Sequence, residues 1–404
     1  MNTLSRMVLN TFLVIASVGF SLLIIEAVLH FTPLEERWLY PLEPGGYLKY
    51  DPELGFDIRP SFPTSTHSFY DYSYKVWSNE LGCYDYPYDG VSPYIYVTGD
   101  SFAWGFTPLH EKWGKALESM TGIRTLTCGV NAYGTRQEVI KTRRTLDRLS
   151  RDPELIVVSY LGENDPFDDF AFPNFTSYRG YRVPSWSHCG PETLLSISPL
   201  MPTTTCNIPE PHYSLFERTK FELSLNSIIY MIAKRQFNIQ DTLKSWLAQF
   251  APGWAKNQGL LHAEGPQFVD GTRDVSWDAH MYSMRSFKDL AEMHNARAVF
   301  VLVPHKEMTR AASIDPQAPN ERLKEYLTAQ GIEYVDLTPE FRAREKLPER
   351  PLYWDFDGHW NIDGNRLAGL IVTKALLERG LVEAPNKAQV LSDIEKRLAQ
   401  DFSI

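Results

Sequence analysis

From Met7 to Ile25 the chain carries no charged residue, and the stretch TFLVIASVGFSLLII, extended by Ala27 to Leu29, is dominated by Leu, Ile, Val and Phe. That run approaches the ~20 residues a helix needs to cross the hydrocarbon of a bilayer, so the pattern predicts one transmembrane helix over 8–30. Residues 32–90 are rich in Pro, Gly and Tyr with few periodic runs, which reads as a linker and N-terminal accessory strands. From Pro93 the texture changes to short apolar runs. YIYVTGD, TLTCGVNAYG, ELIVVSYLGEND, ARAVFVLVPHK and IEYVDLTPEF follow in order, and Val139, Ile140, Leu146 and Leu149 recur at helical spacing between the second and third. Near-continuous apolar strands alternating with helices predict an α/β fold in three layers, α/β/α, with a parallel sheet covered on both faces.

The third and fourth strands are separated by far more chain than one crossover helix requires. The core is therefore expected in two pieces, 91–165 and 286–385, with 166–285 as an insertion and 386–404 as a polar C-terminal helix. The insertion holds a Pro-, Ser- and Thr-rich stretch from Val183 to Pro211 and the helical patches SLFERTKFELSLNSIIYMIAKRQ and DTLKSWLAQF. It reads as a lid or an accessory layer, the lid being favoured because ligands bind at strand C-termini in open parallel sheets. Asn174-Phe-Thr is a formal glycosylation sequon, informative only in a secreting eukaryote.

Charge and cysteine content narrow the partners. Forty Lys and Arg against 50 Asp and Glu give a formal charge of -10 over 404 residues, which disfavours nucleic acid. Arg6 precedes the apolar run and Glu26, Glu35 and Glu36 follow it, so the positive-inside bias places the N-terminus in the cytoplasm and the main domain outside. A cleaved signal would need a small-x-small site, and Ile25 to Phe31 reads IEAVLHF; no lipoprotein cysteine follows, the first being Cys83. The four cysteines, at 83, 128, 189 and 206, form no CxxC pair for zinc, and no metal or cofactor is implied. Cys189 and Cys206 are placed to pin a loop, whereas Cys128 is expected as a buried apolar side chain of a strand.

Candidate chemistry gathers at strand ends. Ser101 follows YIYVTGD directly, and Gly99 allows a sharp turn that points a side chain out of the sheet, a good place for a nucleophile. Asn164 closes the third strand, where its amide can donate to an oxyanion, and CGVNAYGTRQE closes the second with backbone N–H groups in a small-residue turn. In WDFDGHWNIDG, His359 lies just before a helix, with Asp357 or Asp355 as the carboxylate that orients it.

Together these blocks resemble the SGNH, or GDSL-type, hydrolase superfamily: Gly99-Asp100-Ser101, Gly162-Glu163-Asn164-Asp165 and Asp357-Gly358-His359-Trp360-Asn361, with the lead-in SNELG at 78–82 similar to that of membrane-anchored members. Two departures stand out. Aligned on Gly129, the family's oxyanion glycine falls on Ala132, with Gly134 close by. The family's usual triad carboxylate lies three residues before the histidine, where this chain has Phe356, so the resemblance is to the Asp-x-His variant of polysaccharide-modifying acyltransferase and esterase members.

The resemblance implies an SGNH-like, flavodoxin-like three-layer fold and a serine esterase or O-acyltransferase. Ser101 is its nucleophile, His359 the base, Asp357 the orienting acid, and Ser101, Ala132 and Asn164 the oxyanion donors. Gly129 and Gly134 are alternative donors, and Asp355 is the alternative acid. The implied substrate is an extracytoplasmic carbohydrate or a small ester, served by a multi-spanning membrane protein that delivers acyl groups. A catalytically idle glycan-binding or membrane-complex scaffold is the alternative.

Overall fold

The computed structural model describes residues 3–32, 34, 43–69, 72–162, 164–170, 172–236, 275–310, 319–345, 349–355 and 357–402. The chain divides into two compact units, one of Met1–Leu42, Ser68–Ser73 and His212–Thr272, the other of Glu43–His67, Tyr74–Pro211 and Arg273–Ile404.

The larger unit is built on a five-stranded sheet whose strands are β1 (Tyr94–Gly99), β2 (Arg124–Thr127), β3 (Leu155–Leu161), β4 (Arg297–Val303) and β5 (Glu333–Asp336). All neighbours run parallel, in the order β5-β4-β3-β1-β2. Read in sequence order this is 2-1-3-4-5, the flavodoxin-like winding whose switch point lies between β1 and β3. The register aligns Gly99 with Ser159 and Val303 with Leu161, so the loops after β1, β3 and β4 leave from one rim.

Strand alternation sorts the side chains into two cores. Ile95, Val97, Val157 and Val299 meet Leu367, Ile371 and Leu376 of the helix Ile362–Glu378, with Trp113 and Leu117 of the helix Trp113–Thr121. Tyr94, Tyr96, Ile156, Val158 and Phe300 meet Val139 and Leu146 of Thr135–Leu146, Phe287 and Leu290 of Val275–Met293, and Leu323 and Leu327 of Pro319–Gln330. The expected three-layer α/β/α architecture is what the chain forms. Val275–Met293 packs on the sheet as a core helix although it starts ahead of the boundary expected at 286. A helix over Lys387–Asp401 closes the unit, and DTLKSWLAQF lies outside the described residues.

Thr135–Leu146 shows what periodicity does not reveal. Its sequence, TRQEVIKTRRTL, has an apolar stripe and a charged face, yet nearly every residue is buried. The antiparallel hairpin Leu48–Asp51 and Gly55–Ile58 supplies matching carboxylates: Lys141 Nζ lies 2.7 Å from Asp57, Arg143 3.2 Å from Glu53 and Arg144 2.8 Å from Asp51. Buried charges persist only when paired in this way.

The expectation for Cys189 and Cys206 holds, and that for Cys128 needs correction. Cys128 is buried, but it is bonded to Cys83, and Cys189 is bonded to Cys206. β2 is an edge strand, and the chain at Tyr84 and Asp85 runs beside it: Thr127 N–H donates to Asp85 Oδ2 at 2.7 Å and Thr127 Oγ1 to Tyr84 O at 3.2 Å. That pairing of distant segments brings the Cα atoms of Cys83 and Cys128 to 4.5 Å.

The smaller unit contains the helix Thr3–Leu29, of which Leu9–Leu29 is long and apolar enough to cross a membrane. Near its end, the Glu26 carboxylate accepts hydrogen bonds from the Ile228 and Ile229 N–H groups at 2.6 and 3.0 Å and from Ser227 Oγ at 3.2 Å. It thereby caps the helix Ile228–Gln236 with an anion at its positive end.

Candidate active site

Ser101 owes its position to the two residues before it. Gly99 adopts φ +140°, and a Cβ there would lie 2.7 Å from Ser159, so only glycine allows the chain to leave β1 at this angle. Asp100 then caps the short helix Ser101–Trp104, its Oδ1 accepting from Phe102 N–H at 2.9 Å. Ser101 is thus the first helical residue, where the backbone N–H has no intrahelical partner.

His359 reaches it from 258 residues away. Its Nε2 lies 2.8 Å from Ser101 Oγ, and its Nδ1 is hydrogen-bonded to Asp357 Oδ1, which also accepts the His359 backbone N–H at 2.8 Å. The loop carrying both is clamped from below. Lys306 Nζ donates to the Trp354 carbonyl at 2.6 Å and the Asp357 carbonyl at 3.3 Å, and Trp354 N–H donates to His359 O at 3.0 Å. The imidazole packs against Phe106 and Phe102, with centroids 4.4 and 5.1 Å apart. Asn361 caps the helix that follows, accepting from Gly364 N–H at 3.0 Å. Asp357 rather than Asp355 meets the ring; Asp355 is exposed. Burial alone would raise the Asp357 carboxyl, but the hydrogen bond and charge of His359 outweigh it and hold the group below its ordinary value.

Ser101, Ala132, Asn164, Asp357 and His359 line one cavity of about 600 Å³. Ala132 sits at φ +63°, an uncommon conformation for a residue with a side chain, in the turn after β2. Gly129 and Gly134 do not line the cavity. Gly129 passes close to the end of the Ser101–Trp104 helix, where a Cβ would come within 2.4 Å of Trp104 N, and Gly134 is the cap of Thr135–Leu146. Asn164 lies three residues beyond the end of β3, and its amide favours the ionised form of the Asp100 carboxyl.

The cavity is also lined by Asn131, Phe167, Asp168, Asn174, Phe175 and His305, none of which the sequence motifs place in the site. His305 follows β4 at the same rim as Ser101 and Asn164, so the strand-end rule applied to VPHK identifies it. Asn174, the formal sequon residue, turns its Nδ2 onto Asp168 inside the cavity. Phe167, Asp168, Asn174 and Phe175 all come from the segment expected as the insertion.

Carboxyl groups crowd the wall behind the serine. Burial raises Asp100, lifts Glu138 and Asp165 well above the carboxylate range, and takes Asp168 up to about 7. Both Glu138 oxygens are sealed from solvent without a hydrogen-bond partner among the described residues. A carboxyl whose folded value exceeds its unfolded value binds a proton on folding, so its burden on stability is absent at low pH and grows as pH rises through that window. Glu138→Gln is therefore expected to raise Tm by a few degrees at pH 8 and to change it little near pH 4, as thermal melts across the range would show.

A hydroxyl beside an imidazole whose other nitrogen is held by a carboxylate is an arrangement in which a proton leaves oxygen as the oxygen bonds to carbon. That arrangement stands at one rim of a 2-1-3-4-5 parallel sheet, where the resemblance of the sequence blocks to SGNH hydrolases led it to be expected.

No protein-family model and no curated protein matches the sequence. Among solved structures, a lipolytic protein of the G-D-S-L family from Veillonella parvula is 11% identical, covering 69% of this chain and 94% of that one at a TM-score of 0.35. A carbohydrate esterase family 2 enzyme from Corynascus thermopiles is 12% identical, covering 79% and 71% at 0.34. An acetyl xylan esterase from Butyrivibrio proteoclasticus is 8% identical, covering 72% and 65% at 0.33.

Proposed function

We propose that this chain is a serine-dependent O-acyl ester hydrolase or transferase, acting on acetyl esters of extracytoplasmic glycan through an acyl-enzyme on Ser101. One observation carries the proposal: Ser101 Oγ, His359 Nε2 and Asp357 stand in a single hydrogen-bonded line. Ser101 Oγ attacks the ester carbonyl while His359 Nε2 takes its proton, and the ring, held by Asp357, then returns that proton to the departing alcohol. Water or a sugar hydroxyl repeats the sequence in reverse to release the acyl group. The Ser101 and Ala132 N–H groups and the Asn164 amide serve the oxyanion, each such donor typically worth ~10²- to 10³-fold in rate. Acetyl and glycan rest on the resemblance of Asp357-Gly358-His359 to the Asp-x-His variant.

The N-terminal helix serves as an uncleaved anchor, with its N-terminus in the cytoplasm and the larger unit outside. The capping of Ile228–Gln236 by Glu26 supports this reading, since removal of the helix would strip that cap. The test is full-length protein in detergent micelles, given a fluorogenic acetyl ester with and without a sugar acceptor. Release of the fluorophore well above the Ser101→Ala rate is expected, with acetate or acetyl-sugar identifying the acceptor. A rate equal to that of Ser101→Ala would leave the scaffold reading instead.

A further inference from the structure

Two asparagines in the cavity wall take no part in the ester chemistry. Asn131 is buried; its Nδ2 donates to Glu43 Oε1 at 2.7 Å, and its backbone carbonyl accepts from Arg182 Nη1 at 2.9 Å. Asn174 Nδ2 donates to Asp168. A carboxylate only accepts hydrogen bonds, so it fixes which end of each carboxamide faces it and leaves the carbonyl end over. Neither Oδ1 has a partner among the described residues, and neither is sealed from solvent, while both residues line the cavity.

The two are joined through an aromatic wall. Arg182, which holds Asn131, lies over the Phe175 ring at 5.2 Å, and Phe175 follows Asn174 in the chain. An acyl chain packed here would leave two amide carbonyls desolvated and unpaired, which costs binding. Hydroxyl groups around a ring would instead donate to both carbonyls while the C–H face of the ring lies against the aromatic wall.

We propose that Asn131 and Asn174 are specificity-determining residues that accept hydrogen bonds from hydroxyls on the alcohol part of the ester, a pyranose ring lying against Phe175. This rests on the ester chemistry proposed for Ser101, and gives its substrate a carbohydrate rather than a lipid character.

The test compares a mono-O-acetyl methyl xylopyranoside, its singly deoxygenated analogues and p-nitrophenyl acetate, using full-length protein in a detergent without a sugar head group. In the wild type, loss of a recognised hydroxyl lowers kcat/KM about tenfold, the scale of one hydrogen bond to a fixed partner. In Asn131→Ala or Asn174→Ala, kcat/KM for the sugar ester relative to p-nitrophenyl acetate falls by about the same factor, and the matching deoxygenation then costs nothing further. An unchanged ratio, or a wild type indifferent to every deoxygenation, overturns the proposal; the second result needs no variant to fold. Wild-type protein that turns over neither ester defeats the Ser101 reading instead. The subsite is then judged by calorimetric binding of methyl xylopyranoside, which should weaken about tenfold in either variant, and equal binding by wild type and variants overturns it.

Discussion

Replacing Ser101 with alanine is expected to lower acetyl-ester turnover at least ~10⁴-fold, to the level that binding and the oxyanion donors support alone. The protein should remain folded. The Ser101 side chain contributes little packing, and the cap that shapes its helix, Asp100 Oδ1 on Phe102 N–H, does not involve it. Melting within a few degrees of wild type would establish that the loss is chemical. Retention of most of the activity would mean that another group forms the acyl intermediate.

Asp357→Asn is expected to lower kcat ~10²- to 10⁴-fold, and Asp355→Asn to leave it within about twofold. The two carboxylates are two residues apart, but only Asp357 reaches His359 Nδ1. A carboxamide there no longer stabilises the imidazolium, and it permits the ring tautomer that presents Nε2–H to the serine instead of a lone pair. Because His359 holds the Asp357 carboxyl below its ordinary value, the wild-type pH–rate profile should carry no inflection from this group above about pH 4. Parallel steady-state kinetics on both variants decide the matter. Equal losses in the two would return Asp355 to consideration.

The contrast between these neighbours illustrates what the sequence could and could not convey. Ser101, Asn164 and His305 each follow an apolar run that forms a parallel strand, and strand register alone carries them to a common rim. The choice between Asp357 and Asp355 depends on how the loop turns, which Lys306 fixes by donating to carbonyls of the loop from the segment after β4. No spacing rule contains that contact.

Long-range pairing likewise hid the Cys83–Cys128 bond and the fate of Thr135–Leu146. A charged helical face ordinarily predicts solvent; here the Leu48–Ile58 hairpin covers it with Asp51, Glu53 and Asp57. Asn174 shows how little a local motif fixes. Nothing in its formal sequon indicates that the fold turns the amide onto Asp168. Ala132, expected from its spacing to Gly129, does line the cavity, but its φ of +63° could not be read from that spacing.

The most direct test of the central claim is labelling of the full-length protein with a fluorophosphonate, which reacts fastest with a serine whose proton is drawn away, followed by peptide mapping. The account predicts a single adduct on Ser101 that is lost in Ser101→Ala and formed far more slowly in His359→Ala. Folded protein in which Ser101 stays unmodified, or reacts equally fast without His359, would contradict it.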